Sequence, residues 1–93
     1  MQYMSMDRLK KIRSHAEYGC KFIADLTEND LSHDGDWLGS FSDLKTDISM
    51  RGIVSPLIID KYDSGEMTLG NGHHRAVIAM QLNIDYVPVE VRG

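Results

Sequence analysis

"EMTLGNGHHRAVIAMQLNI", residues 66–84, is the stretch on which the fold turns. Met67 to Gly70 is a short, largely apolar run that Gly70 and Gly72 then interrupt. From about His73 to Leu82 the pattern reads as a helix, and Asn83 is a suitable C-terminal cap. A strand running straight into a helix through a glycine corner is therefore expected here.

Upstream, "SFSDLKTDISMRGIVSPLIID", residues 40–60, carries the complementary signals. Ser40 is a candidate N-cap with Asp43 at the third helical position, an acidic variant of the capping box. Phe41, Leu44, Ile48 and Met50 give the predicted helix an apolar stripe, and Gly52 suits a left-handed C-terminal stop. Pro56 prevents the helix from resuming. "PLIID" is apolar and β-branched, as in a buried strand. "KYDSGE" (61–66) reads as the turn of a hairpin whose returning strand is "MTLG" (67–70). "YVPVEV" (86–91) closes the pattern as a strand, with Pro88 expected near an edge or a strand end.

The N-terminal part is less regular. "QYMSM" (2–6) alternates like a first strand, and Asp7 is a candidate N-cap for a helix over "RLKKIRSH" (8–15). Tyr18, Phe22, Ile23 and Leu26 fall at helical spacing within "AEYGCKFIADL" (16–26), although Gly19 interrupts them. "TENDLSHDGDWLGS" (27–40) reads as a polar loop. Its Asp30, His33, Asp34 and Asp36 lack the alternating ligands and terminal glutamate of a calcium loop, so a solvated turn cluster anchored by Trp37 is the expectation.

Composition bounds the function. The 93 residues suit a single domain with one core, and 42% hydrophobic with 26% charged residues is a globular balance. The single cysteine, Cys20, excludes an intramolecular disulfide and a cysteine-rich zinc site, and suits a reducing compartment. No apolar run approaches the ~20 residues of a membrane span, and "MQYMSMDRLKK" lacks a secretory h-region. A cytoplasmic location without membrane association follows as the expectation, in host cytoplasm if the gene is a phage's. Net charge is −4, whereas DNA binding is driven largely by counterion release from phosphates. Stable DNA binding by this chain is therefore not expected, and Arg8, Lys10, Lys11 and Arg13 read as a solvated helix face.

The corner itself offers chemistry. A helix N-terminus presents backbone N–H groups without intrahelical partners and the positive end of the helix dipole. Glycines let the chain approach an anion closely. Gly70, Asn71 and Gly72 would shape such a cradle, the amides of residues 72–75 would point at the anion, and Arg75 would add a planar cation. His74 could donate to a phosphate oxygen, and His73 could do the same or act as acid or base. The competing reading is a plain chain-reversing turn. Adjacent on a helix, the two histidines point about 100° apart, which argues against a shared metal ion, and no metal site is expected.

The order "DISMRGIVSPLIID", "EMTLGNGHHRAVIAMQLNI", "DYVPVEV" resembles the ParB/sulfiredoxin superfamily from Leu44 to Val91, leaving 1–43 as a variable N-terminal part of a domain spanning 1–93. Within it the motifs look most like small stand-alone phage and actinobacterial domains labelled ParB-like nuclease. The resemblance implies a small α/β (α+β) fold, a short mixed sheet with packed helices. It implies nucleotide binding, ATP or CTP with Mg2+, with phosphates at Gly72, His73, His74 and Arg75. Gly70 and Asn71 would shape the approach, and Gly52, Ser55 and Pro56 of the "GIVSP" turn would border the nucleotide. Family enzymes with kinase or ATPase activity use a carboxylate near this box, for which Glu66 and Asp60 are candidates alongside His73 as a catalytic group.

Departures from the family narrow the expectation. Sulfiredoxins carry their catalytic cysteine immediately before the His-Arg pair, where this chain has His73, so sulfinic acid reduction is not expected. Partitioning ParB proteins continue into a helix-turn-helix domain, whereas this sequence ends two residues after "VEV", so a DNA clamp is not expected from this chain. ATPase, phosphotransferase or nuclease activity fits the resemblance. The alternative is a non-catalytic interaction protein that binds a host protein.

Overall fold

The alternation in "LIIDK" produces the strand it predicts, with Leu57 and Ile59 fully buried and Ile58 and Asp60 half-buried between them. In a computed structural model that describes residues 2–31 and 41–93, this strand is β2 (Leu57–Lys61) of a four-stranded sheet. The others are β1 (Gln2–Ser5), β3 (Met67–Asn71) and β4 (Tyr86–Arg92), in spatial order β1-β4-β2-β3. β2 pairs with β3 as an antiparallel hairpin and with β4 in parallel, while β1 adds antiparallel to β4. The expected small α+β fold with a mixed sheet is what forms.

Among the described residues three α-helices accompany the sheet: α1 (Met6–Leu9), α2 (Phe41–Arg51) and α3 (His73–Gln81). α3 packs against α2, β2 and a 3-10 turn at Glu28–Leu31. Surrounded in this way, it buries Ala76, Val77, Ile78 and Ala79 on nearly all sides. The core joins Ala76, Val77 and Ala79 to Met4, Leu9, Ile23, Leu57, Ile59, Leu69, Val87 and Val89. Both long-helix ends behave as their residues dictate. Gly52 takes φ 74 and donates its N–H to the Ile48 carbonyl at 2.8 Å. Asn83 takes φ 55, and the Asn83 and Ile84 amides close onto Met80 and Ala79 carbonyls at 3.2 and 3.0 Å, a Schellman stop.

Several expectations are corrected. The first helix is one turn, capped by Ser5, whose hydroxyl accepts the Arg8 N–H at 3.3 Å, and Asp7 lies inside that turn. Residues 16–26 form no α-helix. They make 3-10 turns at Ala16–Tyr18 and Ile23–Asp25, separated by Gly19 at φ 84 and Cys20 at φ 53, consecutive left-handed residues that no right-handed helix contains. Met50 leaves the apolar stripe at 79% exposure, while Ile48 is buried and Phe41 and Leu44 are half-buried. The Ser40 cap and the His33, Asp34, Asp36 and Trp37 cluster lie outside the described residues. Of that predicted cluster Asp30 is described, and its carboxylate accepts the Thr27 N–H at 2.8 Å and the Lys21 ammonium at 2.5 Å.

Pro88 sits in a central strand, but where that strand is paired on one side only. β2 first meets β4 at Leu57 opposite Val89, one residue beyond Pro88. Toward β1, Pro88 faces Tyr3. The neighbouring Met6 N–H bonds the Asp85 carbonyl at 2.8 Å, so alternation makes Tyr3 and Pro88 a non-hydrogen-bonded pair. The missing N–H removes no ladder bond. On the outer side of β3, Arg13 bridges to Thr68 and accepts the Leu69 N–H at 2.8 Å.

Candidate functional site

The corner between β3 and α3 begins with an irregularity. The β2–β3 register shifts between Ile58, opposite Asn71, and Ile59, opposite Leu69, leaving Gly70 as the extra residue of a β-bulge. A Cβ at Gly70 would lie 2.3 Å from Asp60 Oδ2, so this glycine makes room for the carboxylate. Gly72 has a different task. At φ 102 it turns the chain into α3, and a Cβ there would meet Leu57 Cγ at 2.9 Å. α3 starts with no side-chain cap and no acidic residue in its first turn. The first bond inside the helix runs from the Ala76 N–H to the Gly72 carbonyl at 2.8 Å.

One cleft of about 340 Å³ opens at this helix start, lined by Leu44, Ser55, Asn71, Gly72, His74 and Arg75. The fold therefore brings Ser55 of the "GIVSP" turn to Asn71, Gly72, His74 and Arg75. The Arg75 guanidinium makes that junction: Nη1 donates to the Ser55 carbonyl at 2.6 Å and to the Pro56 carbonyl at 3.0 Å. Its Nη2 lies beside Gly72, 3.2 Å from the position a Cβ would take. Burial holds the Arg75 pKa below its ordinary value, yet a guanidinium starts so high that it stays cationic at neutral pH. His74 lines the same cleft at 9% exposure.

Other candidate residues lie elsewhere. His73 is 4% exposed and turned inward: its Nε2 accepts the His15 N–H at 3.0 Å, and its ring stacks on Tyr18 with centroids 4.3 Å apart. Glu66 is exposed in the hairpin turn, where its carbonyl accepts the Tyr62 N–H at 2.9 Å. The whole of β3 separates it from Gly72, roughly 17–20 Å at about 3.4 Å per residue, and it does not line the cleft. Asp60 sits over Gly70 and does not line the cleft. Gly52 borders a second, larger cleft of about 560 Å³, whose wall includes Tyr3, Arg51, Ile53, Ile84, Tyr86 and Pro88. There Arg51 donates to Asp47 at 2.8 Å. Sequence spacing gave no sign of the His15 and Tyr18 contacts with His73, because they cross from a separate segment folded into short 3-10 turns.

No family model and no curated protein matches the sequence. Solved structures do. The C-terminally truncated chromosome-partitioning protein ParB from Caulobacter crescentus, complexed with CTP-gamma-S, is similar over 98% of this chain, with TM-score 0.61 and 17% identity. A Pnob8-like ParB-N domain is similar over 97%, with TM-score 0.60 and 19% identity. The chain has a ParB N-domain fold. It spans 43% and 28% of those two chains. Among the described residues of this ParB-like fold, no helix is long and apolar enough to cross a membrane. Nor, among them, do three His, Cys, Asp or Glu side chains gather as a metal-ligand set, and the 340 Å³ cleft is lined by no carboxylate.

Proposed function

We propose that this ParB-like domain binds a nucleotide through its phosphates at the β3–α3 corner. The observation that carries the reading is the convergence of Ser55, His74, Arg75 and the start of α3 at Gly72 on one cleft. Amides there donate to phosphate oxygens, the helix dipole favours the negative charge, and Arg75 and His74 neutralise it. The cleft's volume, near the lower end of the ~300–1,000 Å³ of small-molecule sites, suits a polyphosphate better than a whole nucleotide. CTP is the first candidate because the Caulobacter ParB of similar fold was crystallised with CTP-gamma-S; ATP is the second. The donor set suits phosphate oxygens and offers Mg2+ no carboxylate, so Mg2+ would arrive on the phosphates. A thermal-shift panel of CTP, ATP, GTP and ADP, with and without Mg2+, tests this. The expected result is a shift with CTP that Arg75→Ala abolishes, and no shift with any nucleotide refutes the reading.

A second reading, an interaction protein with a protein partner, is favoured by one patch. Tyr3 and Tyr86 stand 64% and 65% exposed at the 560 Å³ cleft, with Met50 and Val54 exposed on either side of its Arg51–Ile53 rim. Tyrosine, methionine and arginine are enriched in interfaces. In a pull-down from lysate of the source organism, a Tyr3→Ser/Tyr86→Ser chain should lose a partner that His74→Ala retains. Loss from both, or capture of nothing by the wild type, counts against it.

A further inference from the structure

The segment from Arg13 to Phe22 holds the β3–α3 corner from both sides. Before the corner, the Arg13 carbonyl accepts the Leu69 N–H at 2.8 Å. After it, the His15 N–H is accepted by His73 Nε2 at 3.0 Å, a contact between positions 58 apart in sequence. Two residues of one extended stretch thus span the Gly70–Gly72 turn. The segment is itself fixed: the Ser14 N–H bonds the Lys21 carbonyl at 2.6 Å, and His15 Nδ1 accepts the Glu17 N–H at 3.2 Å. Tyr18 then closes over the His73 ring at 4.3 Å.

The corner has need of such a brace. Gly72 at φ 102 is conformationally free in the unfolded chain. Gly72, at the cap position, has no side chain to cap with, and the first turn of α3 carries no acidic residue. Its first residue is His73, 4% exposed and held from the N-terminal segment.

We infer that His73 is a positioning residue rather than an acid, a base or a phosphate ligand. As a neutral imidazole it ties the 13–22 segment to the first turn of α3, and so holds that turn's amides, His74 and Arg75 toward the cleft. The link to ligand binding rests on the nucleotide reading above; the brace itself does not. Accepting at Nε2 requires that nitrogen to be unprotonated, which places the ring proton on Nδ1. Glutamine offers an amide oxygen at about the reach of Nε2, whereas leucine offers no acceptor. His15 sits at φ −60, a value proline also adopts, so His15→Pro deletes the same hydrogen bond from the donor side, together with the Nδ1 acceptor of the Glu17 N–H.

The test uses the full chain, with nitrogen NMR of the imidazoles, hydrogen exchange at the His15 amide, and CTP titration by calorimetry. The wild type should show His73 as the Nδ1–H tautomer and a protected His15 amide. His73→Leu should lose that protection and bind CTP about tenfold more weakly, the scale of one lost hydrogen bond. His73→Gln should restore both. If His73→Leu does not fold, His15→Pro supplies the comparison and should weaken CTP binding similarly with His73 intact. Wild-type CTP affinity in His73→Leu or His15→Pro, or no rescue by His73→Gln, overturns the positioning role. If the wild-type chain binds no nucleotide, the nucleotide reading falls, and His15 exchange alone decides the brace: unchanged protection in His73→Leu overturns it.

Discussion

Replacing Gly72 by alanine measures how tightly the corner is built, and the expected loss divides into two parts. At φ 102 a Cβ meets its own backbone, about 1–2 kcal/mol for an L-residue in the left-handed region. The new methyl would also lie 2.9 Å from Cγ of the fully buried Leu57, a contact that must be relieved by shifting core, about 1–3 kcal/mol. Gly65 isolates the first part, since it takes φ 91 with nothing within 4 Å of its would-be Cβ. Urea unfolding should therefore place Gly72→Ala about 1–3 kcal/mol below Gly65→Ala. Leu57→Ala, itself costing about 2–5 kcal/mol, opens the space that the methyl needs. The double variant Leu57→Ala/Gly72→Ala should then be more stable than the sum of its parts by about the same 1–3 kcal/mol. If Gly72→Ala and Gly65→Ala agree within about 0.5 kcal/mol, or the pair is strictly additive, the close approach of Leu57 to Gly72 is not what excludes a side chain there.

Three further outcomes are expected. Cys20→Gly should raise the midpoint of thermal unfolding by relieving φ 53, a gain of up to about 1 kcal/mol net of glycine's extra chain entropy; a lower midpoint would show that the Cys20 side chain contributes packing. Ser5→Ala should cost about 1 kcal/mol in urea unfolding, because the Arg8 N–H loses its cap acceptor, and no change would remove Ser5 from that role. Asp30 has its pKa lowered, first by its hydrogen bond to Lys21 and then by the Thr27 N–H. A depressed carboxylate pKa adds stability that is present above the unfolded value and lost as pH falls through the folded one. At this partly exposed site it amounts to at most about 1 kcal/mol. The wild type should exceed Asp30→Asn in urea midpoint at pH 7, with the gap closing below about pH 4; a constant gap contradicts the assignment.

Where local chemistry dominates, the chain is legible. Gly52 and Asn83 stop their helices because a left-handed residue is required there, and Leu57 and Ile59 alternate because one face of β2 is buried. Ser55, Asn71, Gly72, His74 and Arg75 line one cleft, a grouping that only the family resemblance, and no local pattern, suggested. The stretch 16–26 was not legible, since Tyr18, Phe22, Ile23 and Leu26 fit a helical face equally well. Tertiary partners decide it: Tyr18 goes to His73, and Phe22 lies under Arg13, whose guanidinium carbon is 4.2 Å from the ring centroid. The adjacent histidines had to diverge on a helix. Which of them would turn inward depended on His15, far off in sequence, and no local pattern encodes that.

The attachment of Arg13 to β3 also bears on how the molecule keeps to itself. A sheet's outermost strands expose unpaired N–H and C=O groups that recruit other chains into fibrils and swapped dimers. Along β3, the Arg13 bridge to Thr68 and the bond from Leu69 occupy part of that row. The opposite rim is β1, only four residues long, and short rims are poor templates for foreign strands. The N-terminal third of the chain thus guards the sheet twice, once by lying along one rim and once by supplying a stub as the other. Loosening the Arg13 segment should accordingly show up as self-association as well as in binding.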